Sequence, residues 1–194
     1  MKENIERRNR ILVAARDTFA EEGFRNAEVK TIARKAGVGK ATIYKHFDSK
    51  DDILLTIVDE NFKALRDIAL QNLISGGHPL DRFERTCLAM ARFLSRNKDF
   101  STVLIKEAGE FMPEIQRLHK VIVRENAQFA DAFFNVLKQE RLIPDIPNQT
   151  LLELIMNLTI GTVYAWTLNE DRDLVRDVEH LFKLWRQRLP PLST

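Results

Sequence analysis

The stretch from Val29 to Phe47, VKTIARKAGVGKATIYKHF, constrains what this chain can become more than any other. Ile32, Ala33 and Ala36 fall at i, i+1 and i+4, one apolar face of a short helix. Gly37 follows where the backbone must turn through a conformation that a side chain makes costly. A second short helix then starts near Gly39 or Lys40. Its buried stripe is Ile43 and Phe47, four apart, which leaves Lys40, Thr42, Tyr44, Lys45 and His46 to face outward. A small residue, a turn glycine and a buried aliphatic at Ala33, Gly37 and Ile43 let two helices cross closely. That is helix-turn-helix spacing, in which the second helix enters the DNA major groove. A plain helical hairpin would use the same alanine and glycine, so the flanks have to decide.

Upstream, Ile11, Ala14, Ala15 and Phe19, followed by Glu22-Gly23-Phe24, predict a helix over residues 9–22 that ends on a glycine. Ile11 or Leu12, Ala15 and Phe19 would pack on Ile32, Ile43 and Phe47, giving three short helices the shared core they need, since helices of this length are marginal alone. Downstream, Phe47-Asp48-Ser49-Lys50 leads into a long helix with Ser49 as N-cap and Asp51 and Asp52 in its first turn, where the helix dipole favours acid.

Taken together, Ile11, Ala14-Ala15, Phe19, Gly23-Phe24, Val29, Ile32-Ala33, Ala36-Gly37-Val38, Thr42-Ile43-Tyr44, His46-Phe47 and Ser49-Lys50 resemble, in one ungapped register, the amino-terminal domain of the tetracycline-repressor (TetR) family of bacterial transcription regulators. The resemblance covers roughly residues 5–55 and departs at two places. Ala27 and Glu28 stand where that family usually has hydroxyl residues, and Gly39 stands where it usually has a capping serine. Glycine is an acceptable N-cap, whereas Glu28 suits a helix N-terminus but would repel a phosphate there. The expected DNA contacts are Lys40, Thr42, Tyr44, Lys45 and His46, with Thr31 and Lys50 on phosphates. The resemblance implies that Tyr44 and Lys50 hold the backbone. His46 has a second reading, as a packing residue beside Phe24.

Charge agrees with a DNA-contacting head. Through Lys50 there are 12 Lys and Arg against 7 Asp and Glu, and after it 18 against 21. Lys2, Arg7, Arg8 and Arg10 would form a basic arm along the phosphate backbone, or a frayed terminus. Cys87 is the only cysteine, so no intrachain disulfide forms. The amino terminus has no apolar signal core. The most apolar run, between Leu151 and Trp166, is broken by Glu153 and Asn157, so a cytoplasmic protein without a membrane partner is expected.

Beyond residue 48 the pattern is helical throughout, with no alternating strand signal. The fold class is all-α: a three-helix head over residues 1–48 and an effector-binding and dimerisation bundle over 49–194, about nine helices in total. A long connector runs from Ser49 to Ser75-Gly76-Gly77. Pro79 opens the next helix, residues 100–111 form a shorter one, and Pro113 starts a long one ending near Arg141. The last two, residues 149–168 and 171–188, carry apolar residues on more than one face, with Gly161 and Ala165 allowing close approach. Such surplus implies a partner surface, and the resemblance implies a homodimer through these helices on a palindromic operator. Phe83, Cys87, Met90, Phe93, Phe111, Met112, Phe129, Phe133, Met156 and Trp166 are candidates to line an apolar effector cavity, with ordinary core packing the competing reading. His78, His119 and His180 lack metal-ligand spacing, and neither a phosphate loop nor a nucleophile motif occurs. No metal, cofactor or enzymatic activity is expected. The reading is a repressor released from DNA by a small molecule, with a DNA-binding protein of the same fold acting through protein contacts as the alternative.

Overall fold

The computed structural model of the chain describes residues 2–169 and 171–187; within that span the side chains of residues 2, 104–112, 114, 115, 118, 119, 122, 123, 125, 126 and 156 lie outside the description. The described residues form eight α-helices and no strand: α1 (Lys2–Glu22), α2 (Val29–Ala36), α3 (Lys40–Tyr44), α4 (Lys50–Leu73), α5 (Pro79–Arg96), α6 (Lys98–Gln139), α7 (Asn148–Thr167) and α8 (Leu174–Arg186). Packing gathers them into two units, each made from two stretches of chain. One is Met1–Lys63 with Asn97–Lys120, and the other is Ala64–Arg96 with Val121–Thr194.

In the first unit, the apolar stripe of α1 (Ile11, Leu12, Ala15 and Phe19) is buried together with Ile32, Ala33 and Ala36 of α2 and Ile43 of α3. Ile53, Leu54, Ile57 and Val58 of α4 are buried in the same unit, as are Phe100 and Val103 of α6. Phe19 and Phe24 meet edge to face with ring centroids 5.2 Å apart. The core expected from the sequence is the core that forms. Two of its buried polar groups are satisfied within their own helices: Thr18 Oγ1 donates to the Ala14 carbonyl at 2.7 Å and the Asn61 amide to Ile57 at 2.8 Å, whereas the buried Ser101 hydroxyl of α6 has no hydrogen-bond partner among the described residues.

Two expectations are corrected. The basic arm is helix, because α1 already runs from Lys2. Arg7 pairs one turn back with Glu3 at 2.6 Å, while Arg8 pairs with Glu60 at 2.6 Å and lies over the Phe47 ring, 5.5 Å from its centroid. Nor does Pro113 start a helix: α6 passes through it as one element of 42 residues. A proline removes one i→i−4 bond and crowds one carbonyl, here that of Gly109, and a long helix keeps all its other bonds.

The second unit is built on Leu80, Phe133, Phe134, Leu137, Leu142, Leu151 and Phe182. Phe83 of α5 meets the rings of Phe133, Phe182 and Trp185 at centroid distances of 6.1, 5.7 and 5.8 Å. At the rim, the Arg186 guanidinium of α8 donates to Asp81 and Glu84 of α5, a fork that pins the end of the chain's last described helix. α8 begins at Leu174, later than the sequence suggests, because Asp173 accepts from the N–H groups of Val175 and Arg176 at 2.9 and 3.2 Å and so caps it.

Candidate nucleic-acid interface

Two glycines shape the surface formed by α2 and α3. Gly37 takes left-handed backbone at φ 65°, its N–H reaching the Arg34 carbonyl at 3.2 Å while the Val38 N–H reaches Ala33 at 3.0 Å. This pair of bonds stops α2 and turns the chain into α3. Gly39 holds the extended conformation of an N-cap but has no side-chain oxygen to offer. α3 is shorter than the sequence spacing suggests. After Tyr44 the Lys45 and His46 N–H groups bond three residues back, to Thr42 and Ile43, although Phe47 N–H still reaches Ile43 at 2.9 Å. Phe47 thus keeps its buried place outside the helix.

With Ile43 turned inward, α3 presents Lys40, Tyr44 and Lys45 to solvent. Tyr44 is 48 % exposed and has the Lys40 ammonium 5.9 Å from its ring centroid. A phenol donor beside two cations suits phosphodiester oxygens, and the lysines can also reach base edges. Lys45 has no ion pair among the described residues. Thr42 and His46 are half-buried, and the His46 ring lies 6.3 Å from that of Phe47. Thr31 is half-buried in the first turn of α2.

Two charged residues are placed in ways the sequence could not disclose. Glu28, the N-cap of α2, makes no side-chain cap and instead pairs with Lys30 at 2.8 Å. The hydrogen bond and charge of Lys30, with the more distant charge of Lys40, hold its carboxyl below the usual carboxylate range. Lys50 does not extend into solvent. Its Nζ donates to the main-chain carbonyls of Phe24, Ala27 and Arg25 at 2.6, 3.1 and 3.2 Å and sits 4.4 Å from the centroid of the Phe24 ring. Ser49 does cap α4, accepting from the Asp52 N–H at 3.0 Å.

The candidates for an effector cavity divide. Phe133 and Trp166 are buried, while Phe83, Cys87, Met90, Phe93 and Phe129 are half-buried; Phe83 and Cys87 pack against the core of the second unit. Phe111, Met112 and Met156 lie outside the described side chains. Burial, with a smaller contribution from Glu84, pushes the Cys87 thiol up to about 12. On α7 and α8, Leu154, Leu158, Ile160, Tyr164, Leu181 and Leu184 are exposed, Leu158 by 69 % and Leu184 by 63 %, as is Leu168 just past the end of α7. A Cβ built on Gly161 would meet nothing within 4 Å. No helix of the described residues is long and apolar enough to cross a membrane.

An all-α chain that sets a short basic helix with an exposed tyrosine behind a glycine turn belongs to the helix-turn-helix class of DNA-binding proteins. Residues 11–57 match the sequence model of the bacterial regulatory proteins of the tetR family. Among curated relatives, the HTH-type transcriptional activator FasR of Mycolicibacterium smegmatis is 24 % identical over 172 residues, covering 89 % of this chain and 77 % of its own. The fold is shared with the fatty acid degradation regulator FadR of Bacillus halodurans (TM-score 0.78, 20 % identity, 94 % of this chain and 99 % of that one). It is shared equally with FadR of Bacillus subtilis in complex with stearoyl-CoA (TM-score 0.78, 20 % identity, 93 % and 98 %). Over residues 11–57 the chain thus carries the DNA-binding sequence of the bacterial regulatory proteins of the tetR family.

Proposed function

We propose that the chain is a cytoplasmic, homodimeric repressor that holds a palindromic operator until an apolar or amphipathic small molecule enters the helical body. The observation that carries the DNA half of this reading is α3 itself, which buries Ile43 and gives Lys40, Tyr44 and Lys45 to solvent. Lys40, Thr42, Tyr44, Lys45 and His46 are the proposed contacts, with Thr31 at a phosphate. Residues 1–48 read DNA, and 49–194 bind the effector and the partner copy. The exposed apolar stripe of α7 and α8, with open space at Gly161, supports pairing with a second copy. A twofold pair would place its recognition helices about one DNA turn, ~34 Å, apart or somewhat more.

The stearoyl-CoA bound by the FadR of Bacillus subtilis makes a long-chain acyl thioester the first effector class to try. Phe83, Cys87, Met90 and Phe93, half-buried along one helix, are the proposed apolar lining for an acyl chain. A ligand shifts the molecule only by its preference for one state, so tenfold release needs roughly 1.4 kcal/mol of differential affinity. That FasR is named an activator makes activation the second reading of the same DNA contact. The test is selection from random duplex DNA, followed by titration of the recovered complex with stearoyl-CoA. A twofold-symmetric sequence that the acyl-CoA displaces is the expected result; failure to enrich any sequence sinks the operator, and an undisturbed complex sinks this effector class.

A further inference from the structure

The exposed side of α3 is not all charge and phenol, because Ala41 stands on it as well. Successive residues turn about 100° round a helix axis, so Lys40 and Tyr44 lie about 60° and 100° from the buried Ile43, whereas Ala41 and Lys45 each lie about 160° from it. The two residues aimed most squarely away from the core are therefore a methyl and an ammonium. Lys40 and Tyr44 share one flank, the ammonium 5.9 Å from the ring centroid. Thr42, on the other flank, is half-buried. Gly39, two residues ahead of Ala41, adds no side chain, and a Cβ built there would have only Thr42 Oγ1 within 4 Å, at 3.9 Å. The middle of the surface that α3 offers to a groove is thus low and partly apolar.

An alanine side chain can neither donate nor accept a hydrogen bond, so it reads a base by contact alone. In the major groove the C5 methyl of thymine is the apolar group on offer, while polar base atoms set against a methyl lose water and gain no partner. We propose that Ala41 is a specificity-determining residue, its methyl packed on the C5 methyl of one thymine in each half of the operator. The inference rests on the DNA-reading role of α3 and deepens it. Lysine and tyrosine serve phosphates as readily as bases, so Ala41 is the exposed residue of α3 that acts only by discriminating.

The probe is a duplex recovered by selection with the unaltered chain, its thymines replaced one position at a time, in both half-sites, by deoxyuridine, which pairs alike but lacks the methyl. Each duplex is titrated with the unaltered chain and with Ala41→Gly. Any loosening of α3 by glycine lowers both affinities and cancels in their ratio. At one thymine position the unaltered chain should bind the deoxyuridine duplex about fourfold more weakly per half-site, the worth of one buried methyl, and Ala41→Gly should bind the two duplexes alike. A C·G pair placed there should bind the unaltered chain better once its cytosine is 5-methylated, and Ala41→Gly should be indifferent to that methyl. Ala41→Ser, which replaces the methyl with a hydroxymethyl group and suits a helix better than glycine, carries the comparison if Ala41→Gly binds too weakly to titrate, and should lose most of the deoxyuridine penalty. The proposal is overturned if deoxyuridine costs nothing at every position, if the penalty persists in full without the alanine, or if 5-methylation brings no gain. A chain that enriches no sequence would fail the DNA-reading role and the inference with it, whereas an enriched sequence indifferent to its thymine methyls would fail the inference alone.

Discussion

A carboxylate at the mouth of a DNA-reading unit opposes the polyanion it meets, and Glu28 stays charged well below neutral pH because Lys30 hydrogen-bonds to it. Removing that charge should help binding. Glu28→Gln is expected to raise affinity for the selected duplex severalfold at low salt and to steepen the salt slope as Lys30 is freed, by about 0.9 if it takes one phosphate. Equal affinity would place Glu28 away from the DNA. Since its folded pKa is lowered, the Glu28–Lys30 pair stabilises the chain above the unfolded carboxylate value and is lost as pH falls through the folded one. Cys87 behaves in the opposite sense. Its thiol is raised from 9.0 to about 12, so its contribution is complete below pH 9.0 and fades as pH climbs toward 12. At pH 8 about one thiol in ten thousand is ionised, so iodoacetamide should label the folded chain far more slowly than the unfolded one. The stability gap between the native chain and Cys87→Ala should narrow above pH 9 in denaturant titrations. Fast labelling of the folded protein would contradict the burial.

Helix ends show how the same backbone demand is met by different residues. α2 stops on Gly37 in left-handed conformation, and α6 stops the same way on Arg141 at φ 57°. There the Leu142 N–H reaches Leu137 at 2.9 Å and the Arg141 N–H reaches Lys138 at 2.9 Å, so both ends use one hydrogen-bond pattern. A side chain in that conformation costs about 1 kcal/mol. Arg141→Gly should therefore stabilise the chain by about that amount and Gly37→Ala should destabilise it by as much or more, read from urea unfolding; a loss in Arg141→Gly would show that its side chain does more than strain the backbone. The first of these two stops was legible in the sequence, because a glycine set between two short apolar stripes is what a tight turn from helix to helix demands. Ile32, Ile43, Phe19 and Phe47 were legible because helical spacing names the face a residue shares. What spacing does not encode is a bond between distant stretches: Lys50 finding the carbonyls of 24, 25 and 27, or Arg186 finding Asp81 and Glu84. Local rules misled at Pro113, where the usual helix opener is carried inside a helix long enough to absorb it.

At the scale of the whole molecule, the apolar surface exposed on α7 and α8 is the proposed seat of pairing with a second copy. A charged residue placed in that stripe, Leu158→Glu or Leu184→Glu, is expected to yield a folded single chain by sedimentation and to weaken operator binding by more than tenfold, since two half-sites no longer bind as one. A variant that sediments like the native pair would move the interface elsewhere. The surplus of apolar residues on these helices was visible in their sequence, although which of them turn inward, as Leu151 and Trp166 do, needed the packed structure. The two units have a further consequence for anyone who would transplant the head. The sequence leaves the first unit inside α4, returns at Asn97 and leaves again inside α6, so no loose tether marks a seam where scissors belong. A graft that ends at residue 48 discards Ile53, Ile57, Phe100 and Val103, four apolar side chains buried in the same unit as the reading helix. Recombination between family members should therefore tolerate exchange of residues 1–63 only when 97–120 travel with them.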